Sequence, residues 1–165
     1  MAPFDDLLAA NAEYAGHYDD RGLEGRAAKG IAVVTCMDSR IEPLRMLGLS
    51  IGDAKILRNA GGRVTVDVLR TLVLATHLLG VDRILVVEHT QCKMASATDE
   101  QVHALILESS GVDTRSLDFE TMADQEATLR HDVQRVRSSP FLPPDVQVAG
   151  FLYDVRTGAL SLRVP

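Results

Sequence analysis

The chain has 165 residues, with 17 Lys and Arg against 23 Asp and Glu for a formal charge of −6, and 46% of its residues are hydrophobic. The acidic balance argues against a nucleic-acid partner, and the hydrophobic share at this length is enough for one core, so a single domain over residues 1–165 is expected. No apolar run reaches the roughly 18 residues a membrane span needs, and the start Met1-Ala2-Pro3-Phe4-Asp5-Asp6 is acidic where a signal peptide is basic.

The expected address is therefore cytoplasmic, with no membrane partner. In that reducing setting the two cysteines, Cys36 and Cys92, are expected to remain thiols rather than to close a disulfide.

Phe4, Leu7, Leu8 and Tyr14 lie among acids at helical spacing, so residues 1–25 read as a helical arm whose thin apolar face packs on something outside itself. Residues 31–35 form a continuous β-branched apolar run, the pattern of a buried strand, and 55–58 form a weaker one. Helical periodicity runs from Val64 to Gly80, with Gly80 as a C-terminal cap, and residues 83–88 make a third strand. Asp99 or Thr98 caps a helix to about Ser110. A further helix spans Glu120 to Arg137, with Ala127, Leu129, Val133 and Val136 on its apolar face, and is stopped by Pro140, Pro143 and Pro144. Residues 146–155 and 159–164 are two strands joined through Gly158. The expected class is α/β: a mostly parallel central sheet with flanking helices, an antiparallel C-terminal edge hairpin and an N-terminal helical arm.

Two polar clusters fall at the carboxyl ends of predicted parallel strands, where open α/β sheets bind ligands. Thr35-Cys36-Met37-Asp38-Ser39-Arg40 follows the first strand; if it stays extended, Cys36, Asp38 and Arg40 share one side. Glu88-His89-Thr90-Gln91-Cys92 follows the third. Two thiolates and one imidazole from Cys36, His89 and Cys92 form a soft set suited to Zn²⁺, with a fourth position for water or Asp38. Arg40 is placed to pair with Asp38 and keep it off the metal. Gly61 and Gly62, before the long helix, are placed to wall the pocket and present amides to an anion.

Cys36-Met37-Asp38-Ser39-Arg40, Arg58-Asn59-Ala60-Gly61 and His89-Thr90-Gln91-Cys92, in this order, resemble the β-class carbonic anhydrases, and residues 150–158 are similar to that family's closing hairpin. The resemblance implies hydration of CO₂ to bicarbonate by a zinc-bound hydroxide. Cys36, His89 and Cys92 would be the ligands, and the Asp38–Arg40 pair would control the fourth position. It also implies a homodimer or larger homo-oligomer in which the arm crosses to the partner. COS or CS₂ hydrolysis on the same site, and a non-catalytic zinc module with Asp38 as fourth ligand, are the alternatives. The family usually has Gly after the second cysteine, and Lys93 stands there instead, which implies either strain at a left-handed backbone position or an extra cation near the metal.

Overall fold

A computed structural model describes residues 2–20 and 22–165. Five strands form one sheet in the order β2-β1-β3-β4-β5: β1 (Ile31–Cys36), β2 (Ala54–Asn59), β3 (Arg83–His89), β4 (Gln147–Tyr153) and β5 (Leu160–Val164). The first four are parallel and β5 is antiparallel, as the sequence pattern predicts. The central pair, β1 and β3, carries the continuous apolar runs that a strand covered on both faces needs.

Helices α3 (Val66–Leu78) and α5 (Gln125–Arg137) cover one face. Val68, Leu72 and Ala75 from α3 and Leu129, Val133 and Val136 from α5 form the main core with Ala32, Val34, Ile84, Val86 and Val148. The Thr65 side chain caps α3 by accepting from the Val68 N–H, and Gly80 ends it at φ 76°. A short α2 (Pro43–Met46), not foreseen from the sequence, follows β1.

Helix α4 (Asp99–Ser110) begins at a Thr98 capping box with Gln101, which leaves the Asp99 carboxylate free for another task. It accepts from the Phe119 and Thr121 N–H groups and the Thr121 hydroxyl, and so shapes the long connection 111–124. That connection corrects the expected helix over 120–137. Glu120 is left-handed at φ 52°, Met122 N–H donates to Met94 O, and the Asp124 side chain caps α5, which starts only at Gln125. Ala127 is exposed rather than part of the apolar face.

The arm contains α1 (Asp5–Gly16), and no residue of this helix is buried; Phe4, Leu7, Leu8 and Tyr14 are all exposed. Among the described residues no helix is long and apolar enough to cross a membrane.

Candidate metal centre

Because β1 and β3 are parallel neighbours, with Thr35 opposite Val87, Cys36 and His89 leave the sheet along one edge. The chain then reverses through Gln91, whose φ of 58° is rare for a residue with a side chain, and returns Cys92 toward them. Holding glutamine there costs on the order of 1 kcal/mol, which the surrounding contacts must offset. One ligand atom from each of Cys36, His89 and Cys92 lies within 4.8 Å of the others, and all three residues are buried.

The imidazole is oriented by its backbone. Nδ1 lies 2.9 Å from Thr90 O and is therefore the protonated nitrogen, so Nε2 turns a lone pair into the cluster. Nε2 is buried without a hydrogen-bond partner among the described residues. Gln125 at the start of α5 donates to His89 O at 3.0 Å and fixes the strand end.

The two sulfurs are unequal. A hydrogen bond from the Cys92 thiol, against the opposing effect of burial, holds the Cys36 thiol below its ordinary range, and the N–H groups of Asp38 and Gly61 add to this. The Cys36 thiolate in turn pushes Cys92 up, and burial reinforces that shift. A divalent cation would displace the shared proton. Two buried sulfurs and an unpartnered imidazole nitrogen form a donor set that fits zinc.

Asp38 does not continue the strand. The chain turns at Ser39, Arg40 N–H donates to Asp38 Oδ1 at 2.9 Å, and the Arg40 guanidinium grips both carboxylate oxygens, Nε to Oδ1 at 2.9 Å and a terminal nitrogen to Oδ2 at 2.7 Å. Asp38 and Arg40 thus meet through a turn and a two-point ion pair, not through strand alternation. This pairing holds the Asp38 carboxyl well below the usual carboxylate range. Asp38 Oδ2 stands 3.9 Å from His89 Nε2, at the border of the donor cluster.

The glycines sit behind Cys36. A Cβ on Gly62 would meet Cys36 N at 2.9 Å, so only glycine permits this approach to β1, and one on Gly61 would press on Met94 and Met122. Met122 is fully buried, and with Ile41 it packs around Cys36 and Cys92, while Met46, Met94 and Tyr153 close the rim. Arg58 donates to Cys36 O at 3.0 Å and Asp38 O at 2.6 Å.

A family model described as carbonic anhydrase matches residues 31–160. The chain belongs to the β-class carbonic anhydrase family. It is 36% identical over 165 residues to beta-carbonic anhydrase 1 of Mycobacterium tuberculosis, covering all of both chains. It is 31% identical over 166 residues to a carbon disulfide hydrolase of Acidianus, covering 82% of this chain and 80% of that one. A crystal structure of carbonic anhydrase from Streptococcus mutans superposes with a TM-score of 0.91 at 38% identity, covering 99% of this chain and 98% of the other.

Within this carbonic anhydrase fold, Lys93 carries neither expected burden. Among the described residues the left-handed non-glycine positions are Gln91 and Glu120, and Lys93 opens a 3₁₀ turn, Lys93–Ala95, with its side chain exposed.

On the opposite face of β3 from His89, Glu88 is 1% exposed, and among the described residues neither of its carboxyl oxygens has a hydrogen-bond partner. Burial, with the Asp132 charge adding and Arg63 opposing, pushes its pKa up to about 8. The folded protein therefore binds a proton that the unfolded chain releases near 4.5. Stability falls as pH rises between those values and levels above them. Glu88→Gln is expected to remove up to about 4 kcal/mol of that decline, read as the difference between wild-type and variant urea midpoints at pH 5 and pH 8.5. Equal slopes for the two proteins would refute it.

Proposed function

We propose that this chain is one carbonic-anhydrase domain with an N-terminal arm. It catalyses the reversible hydration of CO₂ on a zinc ion held by Cys36, His89 and Cys92. The observation that carries this reading is the convergence of three buried donors within 4.8 Å, one of them an imidazole nitrogen without a hydrogen-bond partner among the described residues. When bound, zinc supplies the acidity that makes water a nucleophile near neutral pH. The two thiolates cancel the ion's formal charge, so the chain must add orientation.

Asp38 does this as the acceptor beside the fourth position, fixing the proton of an incoming water so that an oxygen lone pair faces the carbon. Arg40 holds Asp38 in that role; without that pairing Asp38 would be free to ligate the bound ion itself. Gly61 steadies the Cys36 sulfur through its amide, and with Gly62 it forms the wall of the pocket.

The relatives that hydrolyse carbon disulfide favour one second reading, in which the same nucleophile attacks COS or CS₂. CO₂ hydration and H₂S release measured on one zinc-loaded preparation decide. Rapid hydration with slow H₂S release is expected, the reverse ratio selects the second reading, and stoichiometric zinc without either activity would leave a non-catalytic zinc module.

The same proposal includes a homodimer. Phe4, Leu7, Leu8 and Tyr14 of the arm are exposed among the described residues, which fits an arm laid on a partner. Sedimentation is expected to give at least twice the 17.9 kDa of the chain, and a monomer mass at micromolar concentration would refute this. Two free thiols and a charge of −6 fit a cytoplasmic protein without a nucleic-acid partner.

A further inference from the structure

The loops after β1 and β3 are joined by one side chain. Besides its two bonds to the Asp38 carboxylate, Arg40 donates from one terminal nitrogen to Gln91 Oε1 at 3.1 Å and from the other to Gln91 O at 3.3 Å. The planar guanidinium thus has one edge on Asp38 and the other on Gln91, across 51 residues of sequence. Gln91 is also the left-handed residue of the loop. Its neighbours are fixed independently. Thr90 N–H donates to Tyr153 O, the Thr90 hydroxyl accepts from Val155 N–H, and Cys92 is buried in the donor cluster.

We propose that Gln91 is a positioning residue: its left-handed backbone and its side-chain amide together hold Arg40, and through Arg40 hold Asp38 away from the donor atoms of Cys36, His89 and Cys92. The proposal rests on the zinc reading above and adds to it the residue that keeps the fourth position open. The backbone conformation aims the carbonyl at Arg40, and the amide oxygen accepts from it without adding a charge. With Arg40 fixed on its far side, Asp38 keeps both oxygens engaged; with that side free, the Arg40 side chain, already 43% exposed, swings toward solvent, and Asp38 would be free to reach a bound metal.

The test uses the full chain loaded with Co²⁺, whose visible absorption reports the donor set, and titrates it with thiocyanate as a probe of the open fourth position. Gln91→Ala removes the side-chain contact. Gln91→Gly does the same while adopting the left-handed conformation without cost, so it preserves the loop. Both are expected to weaken apparent thiocyanate affinity about tenfold and to lower kcat by the same factor with KM unchanged, because a closed fraction is lost to both. In an Asp38→Ala background, Gln91→Gly is expected to change neither quantity. Unchanged affinity in Gln91→Gly overturns the proposal, as does a loss that persists without Asp38, which would make Gln91 a structural support of the Cys92 loop. Absence of thiolate-to-cobalt absorption in the wild type would overturn the zinc reading itself, and that outcome is distinct from either of the others.

Discussion

Cys92→Ala is expected to lose zinc and to lower CO₂ hydration by more than about a thousandfold, toward the rate of buffer alone. The reason lies in the number of ligands. A catalytic zinc site holds its ion with three protein ligands, and removing Cys92 leaves one sulfur and one imidazole. The variant also removes the thiol that donates to Cys36, so the remaining sulfur loses the partner that most favours its ionised form. Fold collapse would not account for the loss. Alanine differs from cysteine by one sulfur, and the site is surrounded by Met94 and Met122, whose flexible side chains can fill the gap. Metal analysis with stopped-flow hydration, alongside circular dichroism, separates the two effects. Native turnover in a folded, zinc-free variant would end the metal reading.

Much of this centre could be read from residue order. The apolar runs of β1 and β3 mark parallel strands, and the chemistry-bearing residues at their carboxyl ends place Cys36, His89 and Cys92 together. What escaped was set by conformation or by distance along the chain. Glutamine has no strong preference for left-handed backbone, so nothing marks Gln91 as the reversal point or as the partner of Arg40. Alternation placed Asp38 and Arg40 on one side of an extended segment, yet the Asp38 side chain captures the Arg40 N–H and bends the chain instead. The start of α5 lies later than the sequence pattern predicts because Glu120 and Met122 look helical, while their backbone groups are already used by Arg63 and Met94. Gln125 and Met122 reach the site only through that long connection, and no local pattern shows it.

The buried pair Arg63–Asp132 is the clearest case of hidden long-range order, and Asp132→Ala is expected to destabilise the fold by about 3–5 kcal/mol. Asp132 is fully buried on α5. One carboxylate oxygen accepts from Arg63 Nε at 2.8 Å and from Val64 N–H at 2.9 Å, just ahead of α3. Burial alone would raise its pKa, and the hydrogen bonds from Arg63 and Val64 more than offset this, so Asp132 stays below the ordinary carboxylate range. Its contribution is therefore complete near neutrality and is lost as pH falls through the folded value. Alanine leaves the guanidinium, whose side chain is only 11% exposed, with Glu120 as its remaining partner, and orphans the Val64 N–H.

Glu88 limits the damage. Its charged form is opposed by Asp132 and favoured by Arg63, so removing Asp132 lets Glu88 ionise and take up the arginine. Asp132→Ala combined with Glu88→Gln is then expected to be less stable than the sum of the two single changes, since Arg63 is left without a buried carboxylate on this side. Urea unfolding of the four proteins at pH 7 measures the coupling. Strict additivity would show that Glu88 is a neutral buried acid with no part in holding α5 against the strand that carries His89.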